Sequence, residues 1–230
     1  MKNTKKKVLV GALVVSMAAI ISMGTIAWFS AQDKVENTFK IVSSEDEEHD
    51  PTFAVDVWEK VPGNDKEQSG HTYDELQPGD TCDKDVNVEN TGNVAQYQRV
   101  TVTVTEGAAW RSMLGMEPST TSVPDLADIV EGFNGEFWKV DADTPSRYDS
   151  AADAFVYVLY GNSEVEPDAV NQVFTAVKIP DDVTKEIAQS FDGDFTVKIV
   201  ADAVQSKNLG SGKAGYLAAV DAFNTVEKNS

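Results

Sequence analysis

Stepping by two from Phe29 gives Phe29, Ala31, Asp33, Val35, Asn37, Phe39 and Ile41, and the positions between are Ser30, Gln32, Lys34, Glu36, Thr38 and Lys40. One face is mostly apolar and the other wholly polar, which is the period of an amphipathic β-strand. Thirteen residues at ~3.3 Å each would extend about 43 Å, longer than most strands of globular domains. Some of that stretch is therefore expected to reach beyond its own domain.

Further along, TFAVDVWEKV places Phe53, Val55 and Val57 on one face, with Trp58 and Val61 adding bulk near its end. PGNDKEQSGHTYDELQPGD has two Pro-Gly pairs and many turn formers, and reads as loop. DVNVEN then puts Val86 and Val88 inward, NTGN is a turn signal, and AQYQRVTVTVTE aligns Val100, Val102 and Val104. The last two runs are expected to form an antiparallel pair across that turn.

The middle of the chain is less regular. SVPDLADIVEGFNG predicts a short helix over 125–133, capped by Ser122 or Asp125. GEFWKVDAD, AFVYVLYG and NQVFTAVKIP are strand-like runs of aromatic and β-branched residues. Val183, Ile187 and Phe191 have helical spacing, and DFTVKIVADAVQS returns to strand with Phe195, Val197, Ile199, Ala201 and Ala203 on one face. Tyr216, Ala219, Val220 and Phe223 predict a terminal helix. Seven or eight strands, with two or three short helices in the connections, favour a mainly β, antiparallel sandwich or jelly roll over a βαβ sheet.

Charge changes the picture at the N-terminus. MKNTKKK followed by an uncharged run has the layout of a signal peptide over residues 1–27. Cleavage is expected somewhere in 27–31, where Thr25 with Ala27, or Ser30 with Ala31, offers small residues. The uncharged run from Val8 to Gln32 is also long enough to span a bilayer, so an uncleaved anchor is the competing reading. The remaining chain divides into an N-terminal strand segment, 28–42, and one globular domain, 43–230. Loss of the leader removes four lysines and takes the formal charge from −19 to −23. So acidic a surface repels nucleic acid and anionic membranes.

Candidate chemistry is sparse. The single cysteine, Cys82, excludes an intrachain disulfide, and Asp80, Asp83 and Asp85 beside it discourage a thiolate, so it reads as incidental, near a turn. His49 and His71 stand in no HExxH arrangement, and the acidic run 45–50 lacks the alternating register of a calcium loop. No nucleophile elbow or phosphate loop is present. Trp58, Trp110, Trp138, Tyr157 and Tyr160 could form a sugar platform, but at strand spacing they fill a core. No catalytic residue, metal ligand or cofactor is assigned.

Several stretches resemble one family. GTIAWFS followed by VENTFKI is similar to the leader region of proteins processed by a signal peptidase of the SipW type. ELQPGDTCDKDVNVENTGNVAQYQRVTVTV resembles their paired strands, and FTVKIVADAVQSKNL their penultimate strand. The chain thus looks like a member of the TasA/camelysin family, a resemblance touching roughly a third of its residues. It implies a jelly-roll domain exported from a Gram-positive bacterium, cut by that peptidase and polymerised into biofilm-matrix fibres. In such a homopolymer each N-terminal segment adds as a strand to the next subunit, with an anchoring or nucleating matrix protein as a further partner. Phe29, Ala31, Val35, Phe39 and Ile41 are the residues expected to carry that contact. The alternatives are a camelysin-like cell-surface metalloendopeptidase, for which no zinc motif is seen, and a monomeric adhesin or carbohydrate-binding module. NTFKIVS also lacks the glycine often found in the family where Val42 or Ser43 stands, which bears on subunit contacts and not on fold.

Overall fold

The computed structural model describes residues 30–34, 37–38, 53–67, 70–73, 76–181, 183–184, 187, 194–207, 209 and 212–229. The strands are β1 (Ser30–Lys34), β2 (Asn37–Thr38), β3 (Asp56–Val61), β4 (Asn64–Glu67), β5 (Thr81–Glu89) and β6 (Gln96–Thr105). They continue as β7 (Val130–Glu131), β8 (Trp138–Val140), β9 (Arg147–Asp149), β10 (Ala154–Gly161), β11 (Val170–Lys178) and β12 (Val197–Gln205). Among the described residues, α1 (Gly107–Met113) and α2 (Leu126–Ile129) lie in the connections and α3 (Tyr216–Asn229) follows the last strand.

The strands form two antiparallel sheets. One has the order β2-β1-β12-β6-β10-β8, with β9 also on β10, and the other has the order β4-β3-β5-β11-β7. Val100, Val102, Val104, Leu159 and Ile199 of the first sheet share one core with Val57, Val86, Val88 and Phe174 of the second. Burying each such side chain contributes about 1.5–3 kcal/mol, so this shared face is what holds the sheets together.

The expected pairing of β5 with β6 is not what forms. β5 pairs with β3 and β11, and β6 with β10 and β12, so the NTGN stretch crosses from one sheet to the other. Asn90 organises the crossing, and its backbone carbonyl also accepts from Asp168. Its buried carboxamide donates to the carbonyls of Val94 and Val165, at 2.9 Å each, and accepts from Gly92 N–H at 3.0 Å. The valines of β5 and β6 therefore meet across the core.

Other differences are local. Asn64–Glu67, expected as loop, pairs with β3 after Pro62-Gly63, where Gly63 takes a φ of +83° that favours glycine. The helix expected over 125–133 stops at Ile129, and the chain joins β11 as β7. Asp125 is its N-cap without a side-chain bond to it. α1 was not foreseen. The Asp153 carboxylate accepts from Ala108 N–H at 3.1 Å in its first turn, while Trp110 and Met113 enter the core.

The terminal helix α3 packs on the outer face of the first sheet. Ala219, Ala222 and Phe223 form a second apolar cluster with Tyr97, Tyr160 and Val204. Arg99 locks it there. Its guanidinium donates to Asp202 of β12 at 3.1 Å and to Glu227 of the helix at 2.6 Å, and lies 4.4 Å from the Phe223 ring centre.

Candidate functional site

The N-terminal strand sits on the outer edge of β12. Strand β12 keeps Ile199, Ala201 and Ala203 in the core and is paired along its other edge with β6. On its free side β1 runs antiparallel in continuous register, from Ser30 opposite Val204, through Ala31 opposite Ala203, to Lys34 opposite Val200. The chain then returns, with Asp33 opposite Thr38 and Lys34 opposite Asn37. The expectation of one unbroken strand over 29–41 is thus corrected: β1 and β2 pair antiparallel with each other instead of continuing in one line. Of the five residues expected to carry assembly, Ala31 is in β1, and Phe29, Val35, Phe39 and Ile41 lie outside the described residues, as do residues 1–27, expected as a leader.

The edge that β1 covers was not named from the sequence, although the run of alternate small residues at Ala201 and Ala203 was visible. A second feature was missed. Continuing the Val104, Val102, Val100 alternation backwards reaches Gln98 and Gln96, and both are fully buried on the same core face. Their carboxamides have no hydrogen-bond partner. An unpaired buried polar group costs about 1–3 kcal/mol, so two carboxamides here are a substantial liability for the isolated fold.

The second sheet has its own buried polar element. Glu59 on β3 and Lys84 on β5 face the core, and their carboxylate and ammonium meet at 2.5 Å. Beside them Cys82, the second residue of β5 and just past the turn at Pro78–Gly79, is buried as part of the core. Burial raises its thiol pKa, with Asp80 and Asp83 adding to the effect. Tyr73 donates its hydroxyl to the Asp83 carbonyl. Its pKa is pushed up to about 12 by burial first, then by the charge of Glu59 and by Cys82 and Asp83.

The aromatic residues do not make a platform. Trp110, Trp138, Tyr157 and Tyr160 are buried, and only Trp58 is partly exposed. The Trp58 indole donates to Glu89 at 3.0 Å, and Lys66 lies 5.4 Å over its ring. His71 is exposed and packs edge-on to Tyr73 at 4.7 Å. His49 and the acidic run 45–50 lie outside the described residues. Among the described residues no three His, Cys, Asp or Glu side chains come together in a group that could hold a metal ion. No described helix is long and apolar enough to cross a membrane. Compared with models of protein families, with curated proteins and with solved structures, the chain matches none.

Proposed function

We propose that this chain is an exported structural subunit that polymerises by strand exchange: β1 leaves the edge of β12, and the corresponding strand of a second copy takes its place. The two sheets with their crossover then form a jelly roll completed in trans, and the polymer is an extracellular fibre of the biofilm-matrix type. The observation that carries the reading is the register of Ser30–Lys34 on Val200–Val204. A long core strand is finished along one edge by a short piece from the chain's N-terminal region.

Energetics support exchange over permanent docking. SAQDK contains no large apolar residue. Its main-chain hydrogen bonds bring about 0.5–1.5 kcal/mol each, against about 1–2 kcal/mol per residue for ordering the backbone. The two nearly cancel, so the strand can leave, and a second copy offers the same ladder. Removal of the leader frees the end that must thread into the next subunit, which couples export to assembly.

The test is deletion of residues 28–41 from the mature protein, with folding followed by circular dichroism and fibres by negative-stain electron microscopy. The expected result is a folded protein without fibres. Normal fibres from the deleted protein would sink the proposal.

A further inference from the structure

The connection between α1 and α2 contains PSTTSVP, Pro118 to Pro124, with four consecutive hydroxyl residues and a valine between two prolines. All seven residues are uncharged, in a chain whose formal charge is −19. Ser119, Thr121 and Ser122 are exposed, so apolar burial does little to hold this loop down. Its backbone is nonetheless fixed at three carbonyls. Arg111 of α1 donates to those of Pro118, at 3.2 Å, and Ser122, at 3.3 Å, and the Tyr157 hydroxyl donates to that of Pro124 at 3.0 Å. Arg111 is 1% exposed, its guanidinium lies 4.3 Å from the Tyr148 ring centre, and among the described residues no carboxylate pairs with it. Burying a charge without an opposite one is costly, and the bonds that offset the cost here go to a loop of small polar residues. What the guanidinium maintains is therefore the shape of that loop.

The hydroxyls of the loop divide into two kinds. Ser119 donates to the Glu117 carboxylate at 3.0 Å and Thr120 to the Glu117 carbonyl at 2.9 Å. Those of Thr121 and Ser122 have no partner among the described residues. Residues 121–125 belong to no helix or strand, and Pro124 biases Val123 toward extended backbone. We infer that Thr121 and Ser122 are acceptors for O-linked sugar, added by a glycosyltransferase of the producing cell. A run of Ser and Thr with proline has the composition of such segments, and here it is held open to an enzyme instead of being unstructured. In the transfer, the hydroxyl oxygen bonds to the anomeric carbon of a sugar carried as a glycosyl diphosphate. The bond from that carbon to the diphosphate oxygen breaks, the diphosphate leaves with the electron pair, and the hydroxyl proton passes to a base of the transferase. The donor is an anion, and an uncharged window is where so acidic a surface opposes it least. The loop lies on the β9 side of the first sheet, beyond β10, and β1 lies at the opposite edge. Sugar there leaves the edge of β12 clear.

The test is intact mass and fragment-ion sequencing of protein purified from the producing cells. Three chains are compared: the native one, a Thr121→Ala, Ser122→Ala variant, and the native chain with a second copy of PSTTSVP appended after Ser230. The native chain is expected to be heavier than its polypeptide by whole sugar residues, located at Thr121 or Ser122. The alanine variant is expected to lose that excess and to melt like the native protein, since both side chains are exposed. The appended copy, which has no Arg111 to shape it, is expected to be occupied about tenfold less, the scale of ordering the backbone of one residue. A mass equal to that of the polypeptide, an excess that lies on other residues or survives in the alanine variant, or an excess made of phosphate overturns the inference. Equal occupancy of the two copies overturns it as well, because the sequence alone would then suffice.

Discussion

Glu59 and Lys84 form a buried ion pair between neighbouring strands of the second sheet, with oxygen and nitrogen 2.5 Å apart and both side chains facing the core. Their desolvation is offset by mutual attraction only while both are present. Lys84→Met strands a carboxylate in the core and is expected to cost about 3–5 kcal/mol. The double variant Glu59→Leu, Lys84→Met removes both charges and is expected to lie within about 1 kcal/mol of the native protein, or above it. Urea unfolding of the three proteins decides this. Equal losses in single and double variants would mean that the charges do not compensate one another.

The opposed positions Ala31 and Ala203 allow the cis strand to be locked. Directly opposed residues of an antiparallel pair have Cβ atoms about 4.5–5.5 Å apart, close to what a disulfide needs. Ala31→Cys with Ala203→Cys is expected to close within one chain on oxidation, and the native Cys82 is buried away from the reaction. The oxidised monomer should not polymerise, and reduction should restore it. Fibres already formed should instead cross-link between chains, giving a ladder on a non-reducing gel. Unimpeded fibre growth from the oxidised monomer would show that β1 stays in place during assembly.

Much of this architecture was legible, and the illegible parts share a cause. Strands such as Val197–Gln205 and helix α3 announce themselves because alternate or every-fourth residues are apolar, and burial demands that period. Periodicity says nothing about which sheet a strand joins. A six-residue connection, Asn90–Ala95, can close a hairpin or cross between sheets, and what selects the crossing is the bonding of Asn90 to Val165, seventy-five residues away. Polar core positions are hidden for the opposite reason. Glu59, Lys84, Gln96 and Gln98 interrupt their apolar faces, so a pattern search ends the face where the fold continues it. Asn64–Glu67 is wholly polar and has no pattern to find. The acceptor edge of β12 depends on pairing between residues some 170 positions apart, which one sequence does not disclose.

Cys82 and Tyr73 predict a loss of stability at alkaline pH. Burial, with Asp80 and Asp83, raises the Cys82 thiol above its ordinary 9.0, and burial together with Glu59 takes Tyr73 from 10.0 to about 12. Both folded values lie above the unfolded ones. Above the unfolded values the unfolded chain releases protons that the folded chain keeps, so the contribution present at lower pH is lost as pH rises. For Tyr73 that window runs from 10.0 to about 12, and for Cys82 it opens at 9.0. Urea midpoints of the native protein should fall with pH more steeply than those of a Cys82→Ala, Tyr73→Phe variant. Parallel slopes would dissociate these groups from the alkaline limb.

Salt dependence tests the polymer reading against the acidity of its subunits. A chain with a formal charge of −19, or −23 without residues 1–27, meets its own copies against strong repulsion. The strand that must be exchanged contributes little to that charge, since SAQDK carries one acid and one base. Repulsion therefore opposes encounter and leaves the final ladder of main-chain bonds nearly untouched. Raising ionic strength from ~10 mM to ~150 mM shortens the screening length from about 30 Å to about 8 Å, below the dimensions of the domain. Polymerisation should accelerate steeply over that range, while the rate at which finished fibres shed subunits should change little. Light scattering gives the first quantity and dilution of preformed fibres the second. Growth that slows with added salt would mean that attraction between opposite charges drives assembly, which would remove strand exchange as the step that sets its rate.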